Sequence, residues 1–410
     1  MQNTSSARER LCTALAVAWL AVFLFLALFF SSARPAPPPS FWVLALVGML
    51  QGWVFQRDQL FAVLRSQWLL LGCALLTVLA LFGSGAWLTL TRPAHFTMPL
   101  PPHIGMLLCI APMAVMLSRR RGLQVTALVL AAVVLVHLVA LPWEALSGEV
   151  FVAGAEALYP RDMPPLHFQA HGLAWQVYYF PGLMMASFYL AAGVIGEERQ
   201  FGPWRFSARS WLAASLVWAA AIACLQSRSA LAGALASTLL GAVALAHTRR
   251  PRLWLGLLAV GVVGAMVFAY LFSANKSSGA LRAAYVALYF RHGFDAEWLW
   301  TGRGYTIFPA LDMQVPGLQY LDHSHNDFAQ VLFTWGIPGL AAYLAFWAAL
   351  LRLVWQSWRQ GRHWPALALL ACAPSFYTDL GLHFHEKVSF LVVLAAMAVA
   401  CATPPPLRRR

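Results

Sequence analysis

Residues 11–30 of the chain read LCTALAVAWLAVFLFLALFF, twenty consecutive positions without a charged side chain. A helix needs about 20 mostly apolar residues to cross the ~30 Å hydrocarbon core of a bilayer. Comparable apolar blocks recur at residues 123–141 and 253–272. Because no A-x-A-like cleavage site precedes residues 34–40, we interpret the first block as a retained helix rather than a signal peptide. These blocks predict an integral membrane protein.

The composition of the whole chain agrees with this interpretation. Of the 410 residues, 60% are hydrophobic and only 10% are charged, whereas a soluble globular protein carries roughly 25% charged residues. The six cysteines fall within or at the edges of the apolar blocks. Their spacing indicates neither a zinc site nor a disulfide framework, so we expect free thiols that pack as small apolar side chains.

The apolar blocks predict an all-α, polytopic protein with about 12 transmembrane helices, forming a single transmembrane domain over residues 1–410. The longest loop, residues 273–326 between helices nine and ten, contains a helical pattern at 281–290, so we expect it to be ordered. No internal repeat is visible, which argues against a secondary transporter. We place the helices near residues 11–30, 40–56, 66–83, 103–118, 123–141, 173–195, 209–226, 229–246, 253–273, 326–351, 364–381 and 388–402.

The distribution of charge predicts the orientation. With the N-terminus in the cytoplasm, 19 of the 28 basic residues but only 4 of the 15 acidic residues fall on the cytoplasmic side. An excess of Lys and Arg in short cytoplasmic loops is the rule for membrane proteins. We therefore expect both termini in the cytoplasm and the loop 273–326 on the outer face. The net charge of +13 then follows from topology, and we expect no nucleic-acid partner.

Several arginines on the outer side are candidates for chemistry. Arg228 lies in a very short turn between two predicted helices, where a charge close to hydrocarbon is costly and indicates function. The alternative is an arginine that reaches the lipid headgroups. Arg282, Arg291 and Arg303 lie in the long loop, where each either has a function or is simply solvated.

A polar stretch, Asp322-His323-Ser324-His325-Asn326-Asp327, precedes the tenth predicted helix. Ser, Asn and Asp suit a helix N-terminus, but this role leaves the two histidines unexplained. A histidine can exchange protons near neutral pH. Either a histidine here transfers protons, or it is an interfacial residue without a function.

A second outer cluster lies between the last two predicted helices, and it suits either a secondary role near a substrate or an ordinary polar turn. Its H-x-H pattern is a weak metal signal. Elsewhere, Asp322 and Asp327 beside the His motif and Asp295 and Glu297 in the long loop form no clear D-x-D pair of the kind that binds Mg²⁺. We expect no metal site and no cofactor. The cluster comprises Asp379, His383, His385, Glu386 and Lys387.

The polar motifs together resemble a known family. His325-Asn326, nine residues and then Gly336-Ile337-Pro338-Gly339 resemble the H-[NSQ]-x9-G-x-x-[GTY] signature of O-antigen ligases. That membrane family also includes O-antigen polymerases and bacterial O-linked oligosaccharyltransferases. Ser227-Arg228 resembles the family's Ser-Arg turn. Arg282, some twenty residues before Gly302-Arg303-Gly304-Tyr305, resembles the arginine that precedes its G-x-G segment.

This resemblance implies a metal-independent glycosyltransferase of the GT-C type in the inner membrane of a Gram-negative bacterium. It implies transfer of O-antigen glycan from undecaprenyl pyrophosphate to a sugar hydroxyl of lipid A–core on the periplasmic face. We predict that His325 is the general base and that Arg228 and Arg282 bind the pyrophosphate. Predicted substrate-binding residues are Arg291, Arg303, Tyr305, His323, Asn326 and His383.

Three other functions stay open from the sequence. An O-linked protein oligosaccharyltransferase would keep the chemistry and change the acceptor, and we would expect a longer C-terminal region. An O-antigen polymerase would extend the glycan, and we would expect the His-Asn signature to be less well kept. A lipid-glycan transporter would need polar residues along a path through the membrane, whereas charges within the predicted spans are nearly absent.

Overall fold

The computed structural model describes residues 2–30, 41–91, 102–163, 165–174, 182–196, 207–245, 277–303, 324–378 and 385–403. Within these ranges the chain is mainly helical. A π-helical turn over Leu26–Phe30 extends the first helix, and a 3-10 helix over Pro102–Cys109 leads into the fifth. We number the α-helices of these ranges in chain order: α1 (Gln2–Phe25), α2 (Phe41–Phe55), α3 (Arg57–Ser66), α4 (Trp68–Thr91), α5 (Ile110–Leu117), α6 (Arg120–Ser147), α7 (Leu183–Gly196), α8 (Ala208–Ala223), α9 (Arg228–Leu245), α10 (Ser277–Gly293), α11 (Asp327–Arg359), α12 (Trp364–Thr378) and α13 (His385–Ala402).

These helices correspond to most of the predicted spans. Eleven of the twelve predicted helices overlap a helix of the structure, and the ninth, at 253–273, lies outside the described residues. In the ranges that the structure describes, α1, α4, α6, α9 and α11 are long and apolar enough to cross a membrane, and six shorter apolar helical stretches accompany them. The chain is therefore a helical membrane protein, while the number of about 12 spans stays a prediction.

Several elements differ from the expectation. Helix α3 was not predicted, because its first three residues, Arg57-Asp58-Gln59, are too polar for a span. Helices α4 and α6 extend to Thr91 and Ser147, beyond their predicted ends near residues 83 and 141. The predicted helical pattern at 281–290 is confirmed by α10.

The last helix lies at the centre of the bundle. Every side chain of α13 from Lys387 to Val399 is buried, and a helix that is apolar on all sides suits such a position. By contrast, α4 and α6 expose large apolar side chains on one face, such as Leu90, Leu135 and Val139. Exposed surfaces of this kind are where lipid chains contact a membrane protein, because water would disfavour them.

The bundle has two distinct ends. At one end the Ser84 hydroxyl of α4 donates a hydrogen bond to the Thr301 carbonyl, and α11 begins at Asp327. We call this the motif end. At the other end, the hydroxyls of Ser66 and Thr403 lie 3.4 Å apart, and Thr403 shares a cavity with residues 118–121. We call this the arginine end. A residue just beyond the third predicted helix thus meets a residue of the predicted outer loop 273–326 at the motif end.

A two-stranded antiparallel hairpin covers part of the motif end, an element that the all-α prediction did not include. It consists of β1 (Tyr159–Met163) and β2 (Leu166–Gln169), with Tyr159 paired to Gln169. The hairpin lies in the loop that follows α6. Helix α6 ends at Ser147, and the next residue, Gly148, has a φ of 78°, the left-handed conformation common after helices.

A buried carboxylate fastens the loop that carries the hairpin. Glu144, near the end of α6, is fully buried. Its side chain accepts hydrogen bonds from the backbone N–H groups of Phe151 at 2.8 Å, His171 at 2.8 Å and Gly172 at 2.7 Å. A buried carboxylate is tolerated when its oxygens are hydrogen-bonded in this way, so Glu144 holds both ends of the loop against α6.

Candidate functional site

Helix α11, which follows the His-Asn motif, is broken and folded back on itself. Its break is at Gly336, with φ 66° and ψ −168°. In a straight helix Asp327 and Tyr343 would lie about 24 Å apart. Instead, the Tyr343 hydroxyl donates a hydrogen bond to the Asp327 carboxylate, and the rings of Phe328 and Tyr343 are 5.7 Å apart. Residues 327–335 therefore form a half-helix that lies beside the rest of α11.

The loop 294–303 satisfies the backbone groups that the break leaves open. The Arg303 N–H donates to the Phe333 carbonyl at 2.9 Å, and the Ile337 N–H donates to the Leu299 carbonyl at 2.8 Å. An unpaired backbone group would be costly in a membrane protein, where water cannot replace the partner. Gly302 and Arg303 of the G-x-G motif are thus docked directly on the broken helix.

Two glycines from separate motifs meet at this contact. Gly302 has φ 65°, and a Cβ there would lie 2.3 Å from the Thr334 carbonyl oxygen. A Cβ on Gly336 would lie 2.7 Å from the Leu299 carbonyl oxygen. Positive φ favours glycine, and the close approach of backbone excludes any side chain at either position. Both glycines are therefore required by the docking of loop 294–303 on α11.

His325 stands at the mouth of the half-helix in a strained conformation. It has φ 54° and is largely buried. Asn326 caps the half-helix by accepting the Ala329 N–H at 3.0 Å. The Gln330 side chain accepts the Ser324 N–H at 3.0 Å, and the Ser324 hydroxyl donates to the Asn326 carbonyl at 2.6 Å. These bonds on both sides of His325 hold it in place.

The Ser-Arg turn is held by the hairpin. The Gln226 side chain donates to the Phe168 carbonyl and the Gln169 side chain donates to the Leu225 carbonyl, each at 2.8 Å. Arg228 follows as the first residue of α9, with an exposed side chain. The reciprocal amide bonds fix the turn from which Arg228 projects, so the hairpin acts as its support.

Backbone strain coincides with the two motifs. Within the described part of the chain, the non-glycine residues with positive φ are Gln226, at 50°, and His325, at 54°. Such conformations cost about 1–3 kcal/mol each and persist where the surroundings enforce them, often at functional sites. Each residue lies in or directly beside a motif that the sequence analysis selected. Strain at these positions supports a functional role for both turns.

Arg303 has partners that brace the loop. Its guanidinium donates to the Asp295 carboxylate at 2.8 Å and lies over the rings of Trp298 and Phe333, at 5.1 and 5.4 Å. Hydrogen bonding from His292, together with Arg303, lowers the pKa of Asp295 below its usual value. These contacts favour a structural role for Arg303, and its predicted contact with substrate stays a prediction.

The other loop arginines lie on α10, which packs against the half-helix. Tyr289 on α10 and Phe333 have ring centroids 4.7 Å apart, and Tyr285 is also buried. By helical spacing, position 282 falls on the same face as these tyrosines and position 291 on the opposite face. Arg291 is exposed. By backbone position alone, residue 282 thus falls on the face of α10 that packs against the half-helix.

Some predicted site residues lie outside the described residues: Tyr305, His323 and His383. The same holds for the side chain of Arg282. Among the described residues, no three His, Cys, Asp or Glu side chains come together as a potential metal site. The expectation of metal independence stays a prediction.

Gln330 was not a candidate from the sequence, whereas Lys387 belongs to the second outer cluster and gains weight from its burial. Gln330 lies one turn into the half-helix, and its side chain accepts a hydrogen bond from the Ser324 N–H. The only signal in the sequence was a polar amide within an apolar helix. Lys387 on α13 is almost fully buried, with its ammonium 5.9 Å from the ring centre of Phe376. A buried charge in a membrane protein indicates function by default, so Lys387 joins the candidates.

Replacing Gly336 with alanine tests the break in α11. Alanine resists this backbone conformation by about 1–3 kcal/mol, and its Cβ would meet the Leu299 carbonyl. We expect Gly336→Ala to lower the unfolding temperature and to abolish the activity of the site. Gly361→Ala is the matched control, because Gly361 also has positive φ but has open space around it. A Gly336→Ala protein with normal stability and activity would show that the break is dispensable.

Comparison with known proteins covers this same region. Residues 213–344 match the model of a family described as O-antigen ligase. The matched segment runs from α8 to the middle of α11 and contains the Ser-Arg turn, α10, the loop 294–303 and His325. A search of curated proteins found no match to the chain.

Proposed function

Since the match over residues 213–344 supports membership of the O-antigen ligase/polymerase family, we propose that this protein is a glycosyltransferase acting on lipid-linked glycan. It transfers O-antigen from undecaprenyl pyrophosphate to a sugar hydroxyl of lipid A–core. The reaction takes place at the motif end of the bundle, on the periplasmic face of the inner membrane. One observation carries the proposal: His325 is held in a strained conformation at the mouth of the folded-back half-helix.

The proposed reaction is a displacement at the anomeric carbon of the donor sugar. The acceptor oxygen forms a bond to that carbon, while the bond from the carbon to the pyrophosphate oxygen breaks. His325 takes the proton of the acceptor hydroxyl, which is a poor nucleophile near neutral pH. A positioned base of this kind typically contributes 10²–10⁴-fold. The hydrogen bonds around Ser324 and Asn326 support this role by fixing the backbone on both sides of His325.

Arg228 and Arg282 stabilise the leaving pyrophosphate in this proposal. Guanidinium groups form paired, charge-assisted hydrogen bonds with phosphate oxygens, and they contribute most where charge develops in the transition state. The exposed position of Arg228 on a supported turn, and the helical face on which position 282 falls, support this assignment. Arg291 and Tyr305 complete the proposed donor site.

The remaining predicted residues take supporting roles. The side-chain oxygen of Asn326 caps the half-helix, so Asn326 positions His325. His323 and His383 are proposed to contact the acceptor or donor sugars. Lys387 adds a buried positive charge beside Phe376, on a helix that begins at the motif end. No step of the proposed reaction is assigned to a metal ion.

Reconstitution tests the proposed function. The purified protein is incorporated in liposomes with undecaprenyl-pyrophosphate glycan and rough lipopolysaccharide, and the product is followed by gel mobility. We expect slower-migrating lipopolysaccharide, in equal yield with and without EDTA. Transfer to an added acceptor protein, or growth of the lipid-linked glycan without lipopolysaccharide, would instead identify an oligosaccharyltransferase or a polymerase.

The proposed orientation predicts which end of the bundle reacts with an impermeant thiol reagent. A cysteine at Ser278, in α10, should react in whole cells whose outer membrane has been permeabilised. A cysteine at Gln360, at the opposite end after α11, should react only after the inner membrane is broken. Five native cysteines are buried and Cys401 is half-buried, so Cys401→Ser provides a suitable background. The reverse labelling pattern would overturn the orientation and the proposed reaction side.

A further inference from the structure

A positively charged cavity lies at the arginine end, opposite the proposed reaction site. Its volume is about 940 Å³. It is formed by α1, the α2–α3 turn, the α5–α6 turn and the end of α13. Five arginines and two acids give its lining a net positive charge. The charged lining residues are Glu9, Arg10, Arg57, Asp58, Arg119, Arg120 and Arg121. Nothing in the proposed glycosyl transfer uses this cavity.

A buried amide in the cavity wall calls for a ligand oxygen. Gln56 lines the cavity and is only 8% exposed. Its side-chain Nε2 has no hydrogen-bond partner among the described residues. A buried donor without an acceptor is unfavourable, and a phosphate oxygen in the cavity would provide that acceptor. The buried amide of Gln56 therefore points to an anionic ligand independently of the arginines.

An apolar groove continues from the charged cavity. A second cavity of about 310 Å³ lies between α1 and α6. Both cavities are lined by Arg10, Thr13 and Arg121. Farther along the two helices the groove is lined by Ala14, Val17, Val125 and Leu128. Leu128 is 55% exposed on a helix long and apolar enough to span the membrane, so the groove is open to lipid.

Aromatic side chains beside the cavity indicate its depth in the membrane. The Arg57 guanidinium lies 4.7 Å from the ring centre of Trp53 and 5.7 Å from that of Phe61. Both rings are partly exposed. Tryptophan is enriched at the level of the lipid headgroups, which is where Trp53 then lies. The charged cavity therefore lies at the headgroup level, while the apolar groove runs from it toward the hydrocarbon.

We propose that this cavity and groove together bind an anionic phospholipid of the membrane. The phosphate lies among the arginines and accepts a hydrogen bond from Gln56, and one acyl chain lies in the groove between α1 and α6. Basic pockets between membrane helices bind anionic headgroups through this combination of charge and apolar contact. The apolar groove favours a lipid over free phosphate as the ligand, because free phosphate has no acyl chain that could occupy the groove.

Lipid binding to the purified full-length protein in detergent tests the proposal. Native mass spectrometry would compare dioleoylphosphatidylglycerol with dioleoylphosphatidylcholine, which has the same chains and a zwitterionic headgroup. We expect the anionic lipid to bind at least roughly fivefold more tightly. Arg121→Gln should weaken its binding roughly fivefold, since one arginine near a lipid headgroup contributes about 1 kcal/mol. Arg352→Gln, exposed on α11 and outside the cavity lining, should leave binding unchanged.

Gln56→Leu separates binding from folding. The empty protein loses no hydrogen bond from the Gln56 Nε2 in this variant, so its unfolding temperature should not fall, while binding of phosphatidylglycerol should weaken. Equal binding of the two lipids, or unchanged binding in both Arg121→Gln and Gln56→Leu, would overturn the proposal. Displacement of phosphatidylglycerol by millimolar inorganic phosphate would also overturn it, because the site would then recognise phosphate without the lipid.

Discussion

His325→Gln is expected to reduce transfer to lipopolysaccharide by about 10²–10⁴-fold, the usual contribution of a positioned general base. Glutamine can form hydrogen bonds but cannot accept a proton at neutral pH. The backbone should tolerate it, because Gln226 already adopts φ 50° in this chain, close to the 54° of His325. Binding of undecaprenyl-pyrophosphate glycan should persist, since it rests on the arginines. The measurement is the initial rate of transfer, alongside binding of the donor lipid.

Controls distinguish proton transfer from positioning. His167→Gln makes the same change at an exposed residue of β2 and should leave transfer unchanged. His323→Ala should be milder than His325→Ala, because His325 alone stands at the signature position. If His325→Gln transfers glycan at a near-normal rate, then the imidazole is not the base and His325 acts only by holding the loop to the half-helix.

Arg228→Lys is expected to reduce transfer by about 10²–10³-fold, the usual cost of losing one group that stabilises developing charge. Lysine keeps the positive charge but loses the planar pair of donors that matches phosphate oxygens. The side chain of Arg228 is exposed, so insertion and the unfolding temperature should stay normal. Arg282→Lys should behave in the same way. A fall in kcat at unchanged KM would place the lost interaction in the transition state.

Other arginines provide the comparison for this result. Arg209→Lys, exposed near the start of α8 and away from the Ser-Arg turn, should transfer normally. Full activity of Arg282→Lys together with inactivity of Arg291→Lys would mean that the pyrophosphate is bound on the opposite face of α10. Normal kinetics of Arg228→Lys would leave the Ser-Arg turn without its proposed role.

The sequence by itself determined the helical membrane architecture and the motifs. A bilayer offers the backbone no hydrogen-bond partners, so every span must satisfy its own N–H and C=O groups as a helix. Long apolar blocks such as residues 11–30 therefore predict spans directly. The sequence also selected His325 and Arg228, because polar residues next to hydrocarbon are rare and stand out. The helix at 281–290 could also be predicted, because a helical pattern depends only on residues that lie within a few turns of one another.

The tertiary structure alone decided how the motifs are held. The fold-back at Gly336 depends on contacts with Leu299, 37 positions earlier in the chain, and the Ser-Arg turn depends on Phe168 in the hairpin. A glycine within an apolar helix is compatible with a straight span, so local pattern cannot show where the helix breaks. Gln330 acquires its significance only through its contact with Ser324, and the burial of Lys387 was not visible in the sequence. Contacts between distant segments determine these features, because they provide the hydrogen bonds that make a broken helix and a strained histidine stable.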